Sequence, residues 1–208
     1  MTFETILTQD RIDDHTGQGH WTGRIITDHL DEVVGDDPDK IAFIDPRRQI
    51  TYGALRQQVD HCALGLLELG VRPGDVVSFQ LPNWIESITV HYAATRIGAI
   101  SNPLIPIYRE RELGFMVGLA RSKVIVVPGE FLGFDYPAVI EKARVGWPAL
   151  QHVLVVDGKP GQGTSWAEFM ATPWHERRSP GELPTLRPDA NDVTLLISPR
   201  GPRASPRA

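Results

Sequence analysis

The sequence alternates continuous apolar segments with amphipathic segments of crossover-helix length, and this alternation restricts the fold more than any other feature. The segments KVIVVP, from Lys123, and HVLVVD, from His152, are apolar nearly throughout. Such segments are typical of strands that are covered on both faces of a sheet. Parallel strands need connections of the length that lies between them. We therefore predict an α/β domain with a mostly parallel sheet and helices on both faces.

Two segments show helix boundaries as well as helical spacing. In ITYGALRQQVDHCALGLLELG, Thr51 can act as N-cap and Gly70 can end the helix. In NWIESITVHYAATRIGA, Asn83 as N-cap and Glu86 three residues later indicate a capping box. Shorter strands are predicted at Lys40–Asp45, Val76–Leu81 and Val193–Ser198.

Composition and charge argue against several classes of protein. A net charge of −5 and a pI near 5.8 disfavour a nucleic-acid-binding surface, so no nucleic-acid partner is expected. The N-terminal residues do not form a basic-then-apolar signal segment, and no apolar stretch has the length of a membrane span. The single cysteine, Cys62, excludes an internal disulfide and fits a reducing compartment. We expect a cytoplasmic location.

The candidate reactive groups each have a preferred structural explanation. Cys62 lies on the apolar stripe of its helix and is predicted to be a core thiol. The segment Asp157–Ser165, DGKPGQGTS, follows a strand but lacks the phosphate-loop pattern, so we predict a surface turn. Trp84 is predicted to be a packing anchor at a helix start. The histidines do not show zinc-ligand spacing.

The charged run YRERE is predicted to form a solvated first helical turn. Arg109 and Arg111 could instead face an anionic ligand, although Glu110 and Glu112 beside them reduce the positive field. We expect no self-sufficient active site between residues 1 and 197. We therefore assign no catalytic, cofactor-binding or metal-binding residue.

The segment Ser198–Ala208 contains only Pro, Arg, Gly, Ala and Ser. This composition changes abruptly after a strand pattern, so we predict one domain over residues 1–197 followed by a disordered Pro/Arg tail. Considered alone, the tail is typical of a recognition arm with polyproline II character.

Four blocks of sequence carry a resemblance to a known family. They are ITYGALRQQVDHCALGLLELGVRPGDVV, LPNWIESITVHYAATRIGAISNPLIP, ERELGFMVGLARSKVIVV and RPDANDVTLLI. In order and spacing they resemble the N-terminal part of the AMP-forming acyl-CoA synthetases, which are adenylate-forming enzymes. The segment WTGRIITDHLDEVVGDDPDKIAFID is most similar to the medium-chain and cyclohexanecarboxylate-type CoA ligases.

The resemblance implies that a Thr/Ser/Gly-rich loop ending in Pro-Lys-Gly follows the strand DVTLLI and binds ATP phosphates. Here SPRGPRASPRA follows, without lysine or threonine, and its prolines lack N–H donors. Synonymous codons exist for which a second reading frame of this segment encodes Thr-Ser-Gly-Thr-Thr-Gly-Glu-Pro-Lys-Gly. We therefore expect that the tail is a frameshift product and that the chain is a truncated N-terminal fragment.

The implied parent activity is the conversion of a carboxylic acid, ATP and CoA to acyl-CoA, AMP and pyrophosphate. The family uses ATP, Mg²⁺ and CoA for this chemistry. Because the family's catalytic segments follow the phosphate loop, we expect the chain alone to be inactive and to bind none of these cofactors tightly. The carboxylic acid is the expected partner of the parent enzyme. The last strand is expected to expose a sheet edge through which the chain could associate.

Two alternatives remain open. The chain could be a non-catalytic binding or regulatory partner of a full-length ligase, with the tail as its recognition arm. It could also be a fragment of an aryl-acid or amino-acid adenylating enzyme, in which a carrier protein replaces CoA as the acceptor.

Overall fold

The computed structural model describes residues 5–197, so the predicted tail at Ser198–Ala208 lies outside the described residues. The helices are α1 (Gln9–Gly17), α2 (Ile26–Asp36), α3 (Tyr52–Glu68), α4 (Ile85–Arg96), α5 (Glu110–Ala120), α6 (Tyr136–Ala143) and α7 (Trp166–Ala171). The strands are β1 (Ile41–Ile44), β2 (Gln49–Thr51), β3 (Val76–Phe79), β4 (Ile100–Pro103), β5 (Val124–Pro128), β6 (Glu130–Phe131), β7 (Phe134–Asp135), β8 (His152–Val156) and β9 (Thr164–Ser165). Among these helices, none combines the length and apolar character needed to cross a membrane.

A five-stranded parallel sheet organises the chain, in the order β4-β3-β5-β8-β9. Helices α4, α5 and α6 lie in the connections between its strands, as the alternating pattern predicted. Two antiparallel hairpins, β1–β2 and β6–β7, stand apart from this sheet. The predicted mostly parallel sheet is confirmed.

Alternate residues of the central strands contribute their side chains to two different hydrophobic cores. Val77 and Val126 belong to a core that includes residues of α3, α4 and α7. Ile125 and Val155 belong to a second core with residues of α5 and α6. Because successive strand residues point to opposite faces, both faces of the sheet are covered by helices, as predicted.

Helix α3 begins and ends close to the predicted positions. The Thr51 hydroxyl accepts a hydrogen bond from the Ala54 N–H at 3.2 Å, which confirms Thr51 as N-cap. Gly70 follows the helix with φ of 84°, a conformation that favours glycine. Cys62 is fully buried, and burial raises the pKa of its thiol, as expected of a core cysteine.

The predicted capping box at the start of α4 is wrong. The N-cap residue is Trp84, and the Ile85 N–H donates to the Asp45 carboxylate at 3.0 Å. The Glu86 carboxylate is bound by Arg47 and Arg48 instead of reaching back to the helix start. The cap therefore comes from the β1–β2 hairpin, about which the local sequence of α4 carries no information.

The strand predicted at Val193–Ser198 is only partly formed within the described residues. Ser101 in β4 donates its N–H to Thr194 O at 2.9 Å and accepts from the Leu196 N–H at 2.8 Å. These contacts form one parallel bridge, between Ser101 and Leu195, at the β4 edge of the sheet. Within the described residues this bridge does not extend into a regular ladder.

Candidate functional site

The order of the parallel strands reverses between β3 and β5. The chain passes from β3 to β4 on one side and then crosses back to β5 on the other side. Ligands of open parallel sheets bind outside the carboxyl ends of the strands at such a reversal. We therefore define the carboxyl-edge site as the residues that follow these strand ends, namely 80–84, 104–109, 129–131 and 157–158.

An ion-pair cluster centred on Arg47 lies beside the carboxyl-edge site. The Arg47 guanidinium donates to Asp45 at 3.1 Å and to Asp157 at 2.6 Å, and it also contacts the Glu86 carboxylate. Arg48 donates to the other oxygen of Glu86 at 3.0 Å. The Asp45 and Glu86 side chains are only 0% and 8% exposed. The carboxylates thus occupy both guanidinium groups, which limits their capacity to bind an added anion.

Asp45 remains ionised in the folded protein. Burial acts to raise the pKa of its carboxyl group, but hydrogen bonds outweigh burial and lower the pKa to about 2. The backbone N–H groups of Arg47 and Arg48 each donate to one oxygen at 2.8 Å, and that of Ile85 donates to the other at 3.0 Å. An ionised carboxylate with these partners caps a helix and joins two elements, and it cannot serve as a general acid near neutral pH.

We expect the hydrogen bonds of Asp45 to make folding stability depend on acidic pH. Its pKa is about 2 in the folded protein against an ordinary value of 3.8, so the ionised group stabilises the fold above about pH 4. That stabilisation should be lost as the pH falls from about 4 to about 2. The measurement is the free energy of unfolding in urea over this pH range.

The Asp45→Asn variant supplies the control for this pH dependence. Its unfolding free energy should fall less steeply below pH 4 than that of the wild type. Part of the slope should remain, because the guanidinium of Arg187 lowers the pKa of Asp28 to about 2 as well. Equal slopes in the two proteins would show that Asp45 does not contribute.

The loop after β4 is held in place by three side chains of the described structure. The Gln80 amide donates to Ile105 O at 2.9 Å and to Tyr108 O at 3.0 Å. The Tyr136 hydroxyl donates to Pro106 O at 2.7 Å. Arg109 donates to the same carbonyl at 2.9 Å. These contacts fix one wall of the carboxyl-edge site.

The two arginines considered as anion ligands lie in different environments. The Arg109 guanidinium is 4.1 Å from the centroid of the Phe134 ring and binds loop carbonyls, so it has a structural role. Arg111 is exposed on α5 next to Glu110 and Glu112, as expected of a solvated helical turn. The structure does not bring the two guanidinium groups together in one binding site.

Residues 157–163 form a mostly exposed turn, as predicted, whereas the last two residues of the segment, Thr164 and Ser165, form β9. Asp157 and Gly158 have positive φ values of 50° and 112°. At Gly129 an added Cβ would lie 2.2 Å from the Asp157 carbonyl oxygen, so the end of β5 packs directly on this turn. The turn follows β8 and forms the boundary of the carboxyl-edge site at the end of that strand.

Trp84 is half-buried between two neighbours. The Arg47 guanidinium lies 4.2 Å from the centroid of its ring, and Phe131 meets it edge to face at 6.0 Å between centroids. This environment agrees with the predicted packing anchor. Over residues 5–197, no group of three or more His, Cys, Asp or Glu side chains is placed to hold a metal ion.

Sequence reasoning missed the Arg47 cluster. Its members come from the β1–β2 hairpin, from α4 and from the end of β8, and Arg47 and Asp157 are 110 residues apart. The available signal was the pair of arginines directly after Asp45 in the turn DPRRQ. Their partners could not be identified without the fold.

Comparison with known proteins places this fold in a family. The family model for AMP-binding enzyme matches residues 30–197. A 2-hydroxy-7-methoxy-5-methyl-1-naphthoate–CoA ligase of Streptomyces carzinostaticus is 36% identical over 68% of this chain and 25% of its own length. A salicyl-AMP ligase / salicyl-S-ArCP synthetase of Mycobacterium tuberculosis is 34% identical over 78% of this chain and 29% of its own length. A medium-chain fatty-acid–CoA ligase of Escherichia coli is 33% identical over 67% of this chain and 25% of its own length.

A solved structure supports the same assignment. The apo structure of MbtA from Mycobacterium smegmatis superposes with a TM-score of 0.74 and 29% identity, over 81% of this chain and 31% of that chain. The chain therefore spans about a quarter to a third of the length of these relatives. Since the family match includes every strand of the parallel sheet, the chain belongs to the AMP-binding enzyme family of adenylate-forming ligases.

Proposed function

We propose that the chain is a portion of an ATP-dependent ligase that activates a carboxylic acid by joining it to AMP. The observation that carries this proposal is the family match over residues 30–197, which covers the whole parallel sheet and the carboxyl-edge site. In the complete ligase, ATP would supply the AMP group and release pyrophosphate, Mg²⁺ would bind the ATP phosphates, and CoA would accept the acyl group and release AMP. The acyl-CoA product is the first candidate because two of the relatives are named as CoA ligases.

A second candidate reaction transfers the activated acid to a carrier protein. It is favoured by the 34% identity to a salicyl-AMP ligase / salicyl-S-ArCP synthetase. Two relatives are named for aromatic acids and one for medium-chain fatty acids. A panel that contains a salicylate, a naphthoate and a medium-chain fatty acid therefore separates the substrate classes.

We also propose that the chain by itself does not form an acyl-adenylate. The charged side chains at the carboxyl-edge site support this, since Arg47 and Arg48 are paired with carboxylates and Arg109 binds loop carbonyls. The segment from Ser198 adds no lysine, and its prolines lack the N–H donors that a phosphate loop supplies. The chain is then a scaffold that positions the rest of the ligase.

We further propose that Ser198–Ala208 is a phosphate-binding loop translated in the wrong frame. Sequencing the gene across codons 197–208 should show nucleotides that encode Thr-Ser-Gly-Thr-Thr-Gly-Glu-Pro-Lys-Gly in the second frame. If the codons cannot be translated in that way, the frameshift proposal fails.

Restoring the frame should restore activity. The gene with one base added after codon 197 should yield a protein that releases pyrophosphate from ATP when Mg²⁺ and one acid of the panel are present. We expect a rate at least about 100-fold above that of the original chain, because loop donors stabilise charge in the transition state. The matched control replaces the lysine of the restored loop with alanine. Robust pyrophosphate release by the purified original chain would contradict the proposed inactivity.

A non-catalytic role as a binding partner of a ligase is the remaining candidate. It is favoured by one observation, the exposed side chains of Leu195 and Ile197 in the segment that bridges to β4.

A further inference from the structure

A cleft lies between helices α3 and α7. Gln57, Gln58 and His61 line it from one face of α3, since residues three and four positions apart are neighbours on a helix surface. Trp166 and Met170 line it from α7. We define the α3–α7 cleft by these five residues. Its volume of about 550 Å³ falls within the roughly 300–1,000 Å³ of small-molecule sites.

The α3–α7 cleft is separate from the carboxyl-edge site. None of the described residues that line it belongs to the segments by which that site is defined. Arg48 and Glu86 also line the cleft, and their side chains are paired at 3.0 Å. Because these two charges cancel, the described lining carries no net charge that would select an ionic ligand.

The α7 wall of the cleft favours an aromatic ligand. Trp166 is only 9% exposed and packs on Phe169 with 5.6 Å between the ring centroids, so the hydrophobic core holds its indole in place. Met170 is half-buried and packs against the same core. Indole rings and thioether sulfurs both make favourable contacts with aromatic rings. This wall therefore supplies an apolar surface for a flat ring.

The α3 wall supplies hydrogen-bonding groups that are uncharged. Gln57 is exposed and Gln58 is half-buried, and each side-chain amide can both donate and accept. Burial lowers the pKa of His61 below its ordinary value of 6.5, so its imidazole is neutral at neutral pH. A neutral imidazole offers one donor and one acceptor. The wall therefore matches a ligand edge that carries both N–H and C=O groups.

The imidazole of His61 lacks a partner in the part of the chain that the structure describes. Its Nε2 is buried and makes no hydrogen bond with a described residue. Buried polar atoms are nearly always satisfied by protein, water or ligand, and leaving one unsatisfied costs free energy. A ligand that lets this imidazole form a hydrogen bond is therefore bound more favourably than one that only fills the cleft.

We propose that the α3–α7 cleft binds a small uncharged aromatic amide, with its ring against Trp166 and Met170 and its amide group toward the α3 wall. The amide carries a donor and an acceptor, which the two glutamines and His61 can complement. The paired Arg48 and Glu86 give no advantage to a charged ligand. This binding site goes beyond the proposed ligase activity and does not depend on it.

Three matched probes test the class of ligand. Benzamide, benzoate and cyclohexanecarboxamide are each titrated into the full chain and followed by saturation-transfer NMR of the probe. We expect saturable binding of benzamide and at least about five-fold weaker binding of the other two, because benzoate adds a charge and cyclohexanecarboxamide lacks the aromatic ring. Equal binding of either relative, or no saturable binding of benzamide below about 10 mM, would overturn the proposal.

Two variants locate the bound probe. Gln57→Ala with Gln58→Ala removes both amides from the α3 wall and should weaken benzamide binding at least about five-fold. Gln151→Ala is the matched control, since Gln151 is exposed and does not line the cleft. The double variant should fold, because alanine favours a helix, and circular dichroism verifies this. Equal benzamide affinities in the double variant and in the control would overturn the proposed location.

Chemical shifts identify the ring contact directly. In the ¹⁵N-labelled chain, the indole N–H signal of Trp166, assigned through Trp166→Phe, should move when benzamide is added. The indole signal of Trp84, which belongs to the carboxyl-edge site, is the internal control and should stay in place. Movement of the Trp84 signal alone would place benzamide at the carboxyl-edge site and overturn the proposal. None of these measurements uses pyrophosphate release, so a failure of this binding site and a failure of the proposed activity are distinguishable.

Discussion

Replacing Arg47 with methionine is expected to lower the free energy of unfolding by about 3–5 kcal/mol. The guanidinium contacts the carboxylates of Asp45, Glu86 and Asp157, of which the first two are buried. Methionine keeps the apolar stem beside Trp84 but leaves these charges without a major partner. Urea unfolding at neutral pH, followed by circular dichroism, measures the change.

Arg48→Met is the matched control for this prediction. Arg48 is 45% exposed and contacts only one oxygen of Glu86, so we expect a loss of about 1 kcal/mol or less. The double variant Arg47→Met with Glu86→Gln should recover part of the stability, because the amide removes one uncompensated charge. Equal effects of Arg47→Met and Arg48→Met would contradict a central role for Arg47.

Replacing Phe169 with alanine is expected to lower the free energy of unfolding by about 3–5 kcal/mol. The ring is 2% exposed and lies between Trp166 and Trp174, with centroid distances of 5.6 Å and 5.3 Å. Removing it opens a cavity between α7 and α3, and the two tryptophans lose their shared contact. The same urea unfolding experiment measures the effect. Phe115→Ala, at a site 43% exposed, should cost much less.

A double-mutant cycle with Gly65 tests the packing around Phe169. A Cβ added at Gly65 would lie 2.4 Å from the Phe169 ring and 2.6 Å from the Trp174 indole nitrogen. Gly65→Ala alone should therefore cost about 1–3 kcal/mol, despite the better helix propensity of alanine. With Phe169→Ala present, the cost should be smaller, since one of the two close contacts is gone. Additive effects would contradict the contact.

The sheet could be predicted from sequence because its determinants are local. Apolar segments such as KVIVVP are buried on both faces wherever they pack, so their composition alone reveals a central parallel strand. The N-cap at Thr51 is equally local, because its hydroxyl binds an N–H three residues later. The family resemblance came from the order and spacing of whole blocks, whereas the order of the strands in the sheet was not predicted.

The Arg47 cluster could not be predicted because its partners are distant in the chain. Asp45 caps α4 across 40 residues, and local capping rules favoured Asn83 instead. Likewise, Val193–Ser198 has the composition of a buried strand, yet its described residues form only one bridge, between Leu195 and Ser101. An apolar pattern shows that a segment is able to form a strand, whereas tertiary contacts decide whether the strand forms.

The strand order β4-β3-β5-β8-β9 also sets the sequence of events during synthesis. A chain that emerges from the ribosome can first pair β3 with β4, which leaves the other side of β3 open until β5 is released. The sheet then grows away from β4 through β8 and β9, while the segment 193–197 returns to the opposite edge last. The β4 edge is thus completed by the sheet contact of greatest sequence separation, between Ser101 and Leu195, and loop-closure entropy makes such a contact slow to form. A nascent chain therefore exposes the β4 edge until residues 193–197 have been released.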